Sequence, residues 1–216
     1  MRLDVWSDIA CPWCLLGKRR LEKALEGMGP RGKDVEIHWR AFELQPALPT
    51  EGAPRSFLEA KLGGPERLQK AQAHIAGLGK LVGIDYAFEK QERVSNTRLA
   101  HRAIALGAPP TAEASAAQRR SALVEAFFRA HFEEGKDISP LATVLDVAAS
   151  VGVDRAWLER ELKGDGGLKD VLEDETMAGE LGIGGVPCFV ANMKVAVSGA
   201  QDIETFQQFL DEAMRG

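Results

Sequence analysis

The sequence predicts an α/β fold split into two halves by a large all-helical insertion. Three observations predict it. A strand, a helix and a second strand are legible over residues 1–45, two strands and a helix return over residues 182–216, and the stretch between them repeats its apolar residues at helical spacing. Two thiols, Cys11 and Cys14, lie where the first strand hands over to the first helix.

Each element has its own signal. Leu3-Asp4-Val5-Trp6 alternates as a short strand does, and Leu15, Leu16, Leu21, Ala24, Leu25 and Met28 then recur on one helical face. Gly27, Gly29 and Pro30 stop that helix, and Arg31 to Asp34 are expected as a polar turn. Val35, Ile37, Trp39 and Ala41 alternate with Glu36, His38, Arg40 and Phe42, giving a second strand. This strand-helix-strand unit, with its thiols at the first junction, is the motif end of a thioredoxin-like fold.

A proline-rich connection, Gln45 to Pro54, opens the insertion over residues 46–181. Helices are expected near Arg55–Leu62, Pro65–Val82, Asn96–Leu106, Ala112–Glu133, Pro140–Val151, Asp154–Leu162 and Leu168–Leu181, the last returning to the thioredoxin part. Ile84 to Phe88 reads as extended and crossing the helical part. Val186 to Ala191, a turn at Asn192-Met193, and Lys194 to Ser198 form a hairpin, and a closing helix carries Ile203, Phe206, Phe209, Leu210 and Ala213 on one face.

Composition narrows the function. The chain has 216 residues, 45% hydrophobic and 27% charged, with a formal net charge of -5, which suits a globular domain with a real core. Its longest basic run, Lys18-Arg19-Arg20, is too short to make a polyanion surface, so no nucleic-acid partner is expected. No segment is apolar and long enough to span a bilayer. Two acids among the first eight residues and only three cysteines point to a cytoplasmic protein, in which a Cys-x-x-Cys pair is catalytic, redox-sensing or metal-binding.

The tetrad Cys11-Pro12-Trp13-Cys14 suits thiol-disulfide exchange. Pro12 falls at the first helical position, leaving Cys11 at the N-cap, where free backbone N-H groups and the helix dipole are expected to lower its pKa and make it the nucleophile. Cys14, one turn further in, is the resolving thiol. Downstream, Gly182-Ile183-Gly184-Gly185 leads into Val186-Pro187. Only about 5% of X-Pro bonds are cis, so a trans turn is the default. Together with the upstream thiols and the following hairpin, the order matches thioredoxin-like proteins, in which a cis-proline packs beside the reactive pair.

The chain resembles the DsbA-like thioredoxin superfamily, and within it the FrnE-like predicted dithiol-disulfide isomerases. The matching pieces are Asp8 to Cys14, Gly17 to Glu22, Trp39 to Pro46, Asn96-Thr97 with Ala100-His101-Arg102, Gly185-Val186-Pro187 and Ser198 to Gln201. The resemblance implies a thioredoxin fold with a helical insertion, Cys11 nucleophilic, Cys14 resolving, and Val186-Pro187 offering backbone to an extended substrate segment. It implies protein thiols and disulfides as substrates, glutathione or a thioredoxin-type reductant as redox partner, and no metal or organic cofactor. Kappa-class glutathione transferases and 2-hydroxychromene-2-carboxylate isomerases share the fold but use serine where this chain has Cys11. DsbA-type proteins place a histidine where Trp13 stands; without its charge, the couple is expected between about -270 and about -120 mV.

Further residues have bland readings beside functional ones. Cys188 is a small buried hydrophobe or a third thiol near the pair. A zinc or iron-sulfur site on the three thiols lacks a fourth ligand at a recognisable spacing. His38 is expected at a surface or edge, and His74 and His131 in helices. Asn96 or Thr97 caps a helix, and His101 packs unless the insertion brings it to the active site. Asp8 and Glu43 are solvated or capping carboxylates, or proton acceptors for Cys14. Two other functions compete: a glutathione-dependent transferase or isomerase, and a non-catalytic redox-sensing binder.

Overall fold

A computed structural model describes residues 1–107 and 116–215. The first strand, β1 (Arg2–Ser7), is buried on both faces from Leu3 onward, and this sets the layers around it. Leu3 and Val5 join the main core with Leu15, Leu16 and Leu21 of α1 (Pro12–Gly27) and Phe206 and Leu210 of α10 (Ile203–Arg215). Trp6 points to the other face and packs with Ala178 of α9 (Leu168–Glu180), donating its indole N-H to the Asp174 carbonyl at 3.0 Å. Strand β2 (Glu36–Ala41) lies parallel to β1, with α1 as the crossover between them. On the other side β5 (Cys188–Ala191) runs antiparallel to β1 and β6 (Val195–Ser198) antiparallel to β5, giving the order β2-β1-β5-β6.

The hairpin turns at Asn192 and Met193, with φ of 50° and 55°, as a two-residue turn between right-twisted strands requires. Asp202 caps α10 by accepting from the Thr205 N-H at 2.7 Å. Arg31 to Asp34 are not simply a turn: Pro30–Lys33 form one turn of helix, α2, entered through Gly29 at φ 60° with proline at its start.

A carboxylate inside the sheet needs countercharge. Asp4, fully buried, accepts from Arg2 and from Arg40 Nε at 2.8 Å. Arg40 also donates to Asp174 Oδ1 at 2.8 Å, and Asp174 Oδ2 accepts from the Ala41 N-H at 2.9 Å. One guanidinium thus ties β1, β2 and α9 together.

Among its described residues the insertion is mainly helical, and it carries one short strand pair that the periodicity did not reveal. Ala53–Pro54 (β3) pairs antiparallel with Arg93–Val94 (β4), a two-residue contact too short for an alternation signal. Helices α3 (Arg55–Leu62) and α4 (Pro65–Lys80) lie between these strands in sequence, and a single 3-10 turn at Phe88–Lys90 ends the extended crossing. Then come α5 (Arg98–Leu106), α6 (Ala116–Phe132), α7 (Leu141–Ser150) and α8 (Arg155–Lys163). The expected helix over 112–133 is described from Ala116; its first residues lie outside the described ones.

The two parts are joined by charge as well as by apolar packing. Lys18 of α1, 4% exposed, donates to Glu22 and to Glu125 of α6, each at 2.5 Å, and Arg19 forks onto Glu125. Burial opposes the charge on Glu125, but Arg19 and Lys18 overcome it and hold the carboxyl at about 2. Because the folded value lies below the ordinary 4.5, this contribution to stability is complete above that pH and is lost as pH falls towards about 2. Chemical denaturation followed from pH 6 to pH 2 should therefore show a shallower acid decline for Glu125→Gln than for the wild type. The variant should also be the less stable protein at pH 6.

Candidate active site

The tetrad forms the start of α1. Cys11 is its N-cap, with φ -95° and ψ 111°, and Pro12 takes the first helical position. The Cys11 carbonyl accepts the Cys14 N-H at 3.0 Å. The sulfur makes no capping bond to the N-H groups of the first turn. The thiol donates instead to the Val186 carbonyl at 3.7 Å. The Val186-Pro187 peptide is cis, and this contact sets the segment beside Cys11. Gly17 permits this approach: a Cβ there would come within 3.0 Å of Pro187 Cγ and 3.2 Å of Phe189 Cζ.

Cys14 is held in its neutral form. Cys14 is 2% exposed, and burial pushes its thiol well above the ordinary value, with the neighbouring Cys11 pushing the same way. Trp13, between them, is 40% exposed and tilts against His74 of α4 at a centroid distance of 6.1 Å.

Asp8 is buried, not solvated. Its Oδ2 accepts the Leu44 N-H at 2.8 Å, its Oδ1 accepts the Ala10 N-H at 3.2 Å, and Oδ1 lies 3.3 Å from His101 Nε2. Burial opposes its charge, but the imidazole and the two amides hold the carboxyl below the usual carboxylate range. The insertion therefore does bring His101 to the tetrad. Glu43 is buried too, paired to Arg98 at 2.7 Å through Oε2 while Oε1 has no partner, and burial raises its pKa. Thr97 is the N-cap of α5 by position without a capping side chain; Asn96 Oδ1 accepts the Arg98 N-H at 3.0 Å and Nδ2 donates to the Leu48 carbonyl at 2.9 Å. Asn96 and Thr97 thus shape the entry to α5.

Cys188 is not part of the cluster that holds Cys11 and Cys14. It packs with Trp6, Ala178 and Val190 on the other face of the sheet and accepts from the Ser198 hydroxyl at 3.7 Å. Burial raises its thiol pKa. Among the described residues no three of His, Cys, Asp and Glu are grouped to hold a metal ion.

Tyr86, which the sequence reading left unassigned within the extended crossing, is the chain's one tyrosine. Its hydroxyl donates to the Pro12 carbonyl at 2.6 Å, its ring stacks on Phe88 at 4.9 Å, and burial pushes its pKa up. A lone tyrosine in an apolar extended stretch was the available signal. A groove of about 300 Å³ opens beside Cys11 and Trp13, walled by Leu44, Leu58, Phe88 and Phe132 among others, with His131 also on its wall. Among the described residues no Asp or Glu lines it.

Trapping the reduced protein with iodoacetamide across a pH series should modify Cys11 first. Cys14 should stay unmodified up to pH 9.0, its ordinary value, as site-resolved mass spectrometry would show.

Comparison with known proteins gives this geometry a context. A family model described as a DSBA-like thioredoxin domain matches residues 2–211. A solved structure from Streptomyces coelicolor, a probable DsbA oxidoreductase, superposes with a TM-score of 0.89 at 32% identity, covering 100% of this chain and 90% of that one. An uncharacterized Bacillus subtilis protein, YwbO, is 26% identical over 163 residues, 76% of this chain and 72% of its own. The cytosolic disulfide reductase DsbM of Pseudomonas aeruginosa, solved with glutathione, shares the fold at a TM-score of 0.69 and 14% identity, with 100% of each chain covered.

Proposed function

The chain belongs to the DSBA-like thioredoxin domain family, and on that premise we propose that it is a thiol-disulfide oxidoreductase acting on protein thiols and disulfides through Cys11 and Cys14. The observation that carries the reading is the inequality of the two sulfurs. Cys11 stands at the N-cap position of α1 against the Val186 carbonyl and on the wall of the groove; Cys14 lies one turn further in, with its pKa raised by burial.

In the reducing direction Cys11 attacks a substrate disulfide, and the distal substrate thiol leaves. Cys14 then attacks Cys11 of the mixed disulfide, releasing the second thiol and closing Cys11-Cys14. The oxidising direction reverses these steps, and a thiolate substrate attacks the closed pair. An extended substrate segment lies along Val186-Pro187 while its cysteine meets Cys11. Val186 O, already within reach of the Cys11 thiol, lies where such a segment would pass. Glutathione or a thioredoxin-type reductant returns the oxidised pair to thiols, in keeping with a cytoplasmic setting. Among the described residues no helix is long and apolar enough to cross a membrane.

Trp13 brings no positive charge to the thiolate, so the couple belongs between about -270 and about -120 mV. Equilibration in a graded glutathione series, with each thiol trapped and read separately, tests the reading. A reversible Cys11-Cys14 couple inside that window, with Cys188 silent, is the expected result. A stable glutathione adduct on Cys11 that never passes to Cys14 would sink the dithiol mechanism in favour of glutathione-dependent transfer.

A further inference from the structure

Resolution of a mixed disulfide requires Cys14 to lose a proton, and Cys14 is buried. Ser7, the last residue of β1, shares the parity of Leu3 and Val5 and so faces α1. Its Oγ is buried and has no hydrogen-bond partner. A buried hydroxyl left unpaired calls for an explanation such as a catalytic role or a bound water. It makes no hydrogen bond to the Cys14 thiol as it stands, yet it is close enough to favour the Cys14 thiolate.

Beside Ser7 lies a narrow cavity of about 20 Å³ between the ends of β1 and β2 and the helices α5 and α6, walled by Ser7, Trp39, His101, Ile104 and Val124 among others. That volume holds one water, which needs polar partners to stay. Ser7 Oγ is one, and the His101 ring is another. Nε2 of His101 lies 3.3 Å from Asp8 Oδ1, so a proton arriving from the cavity would be taken by the other ring nitrogen. Asp8 is itself fixed by the Ala10 and Leu44 amides, so the imidazole is held by a rigid anchor.

We propose that Ser7 Oγ, one water in this cavity and His101 form the path by which the proton leaves Cys14 during resolution, with Asp8 positioning the imidazole. The proposal rests on the dithiol reading above. Cys14 forms the S-S bond with Cys11 as the bond between Cys11 and the substrate sulfur breaks; the substrate departs as thiolate, and the Cys14 proton passes through Ser7 and the water to the second ring nitrogen of His101. The enzyme pair is oxidised as it gives up the two electrons that reduce the substrate disulfide. Charged and titratable neighbours that act on this relay are Asp8, Glu43 with its partner Arg98, Asp174 with its partner Arg40, and His131 across Asp8.

A symmetric aryl disulfide with a coloured thiolate separates the steps in one stopped-flow trace. The first equivalent reports attack by Cys11, and the second reports resolution by Cys14. Near neutral pH, Ser7→Ala and His101→Gln should each lower the ratio of second to first rate by about tenfold or more. A positioned proton acceptor contributes roughly 10²–10⁴-fold, less where a second water can fill the widened cavity. In both variants the second step should rise steeply with pH, because only pre-formed thiolate then reacts, while the wild type rises more gently. Ser7→Thr, which keeps the hydroxyl, should retain a ratio near the wild-type one. A Ser7→Ala ratio and pH profile matching the wild type would overturn the relay, as would a parallel fall of both steps in every variant. A wild type that releases only the first equivalent would refute the dithiol reading and the relay with it.

Discussion

One buried carboxylate holds the active site together. Asp8 takes its two amide bonds from the turn that leads into the tetrad and from the segment after β2, and its third contact from α5 of the insertion. An ionised group this deep is tolerated only when its oxygens are fully engaged, so the three stretches are obliged to meet there. Removing any one would leave a charge in a place that water does not reach. The position of Cys11, three residues on, follows from that anchor: the Cys11 N-H itself donates to the Asp8 carbonyl at 3.0 Å.

The same architecture buries both cysteines and gives them different neighbours. β1 is buried on both faces, so the helix that follows it begins inside the protein and its first turn places Cys14 in the core. Cys11, 4% exposed, belongs to the same core and also borders the groove and the cis-proline segment. Burial stabilises the neutral form of Cys14 and would leave it inert without a route for its proton. A protein that uses such a thiol must therefore supply polar groups behind it, and the residues behind Cys14 include Ser7, Asp8 and His101.

Much of this was legible in the chain and some was not. The strands, α1, the hairpin with its turn at Asn192-Met193, and the separation of the tetrad from Pro187 are local patterns, and local patterns survive into the fold. The environment of a side chain is a non-local property. Asp8 and Glu43 carry the same signal as any surface acid, and only the return of α5 buries them. Ser7 ends a strand like many serines, and its missing partner shows only when α1, α5 and α6 surround it. Cys188 was ambiguous because strand parity puts it on one face or the other according to register. Pairing with Trp6 of β1 places it away from the reactive thiols. Tyr86 needed the packing of the extended crossing against Pro12 before it acquired a role.

The insertion does more than cover the thioredoxin part. A bare first turn would present Cys11, Pro12 and Trp13 to solvent from one side. Here Tyr86 fixes the Pro12 carbonyl, α4 sets His74 against Trp13, and α3, α4 and the end of α6 wall a groove that reaches Cys11. The chain carries net negative charge, yet among the described residues this groove is walled by apolar side chains and amides with Lys61, Arg93 and His131, and by no acid. Without carboxylates a groove does not push a sulfur towards its protonated form, and it does not repel an approaching thiolate. The groove and the protein interior thus differ in charge: acids are kept off the groove wall, while Asp8, Glu43 and Asp174 are buried against His101, Arg98 and Arg40.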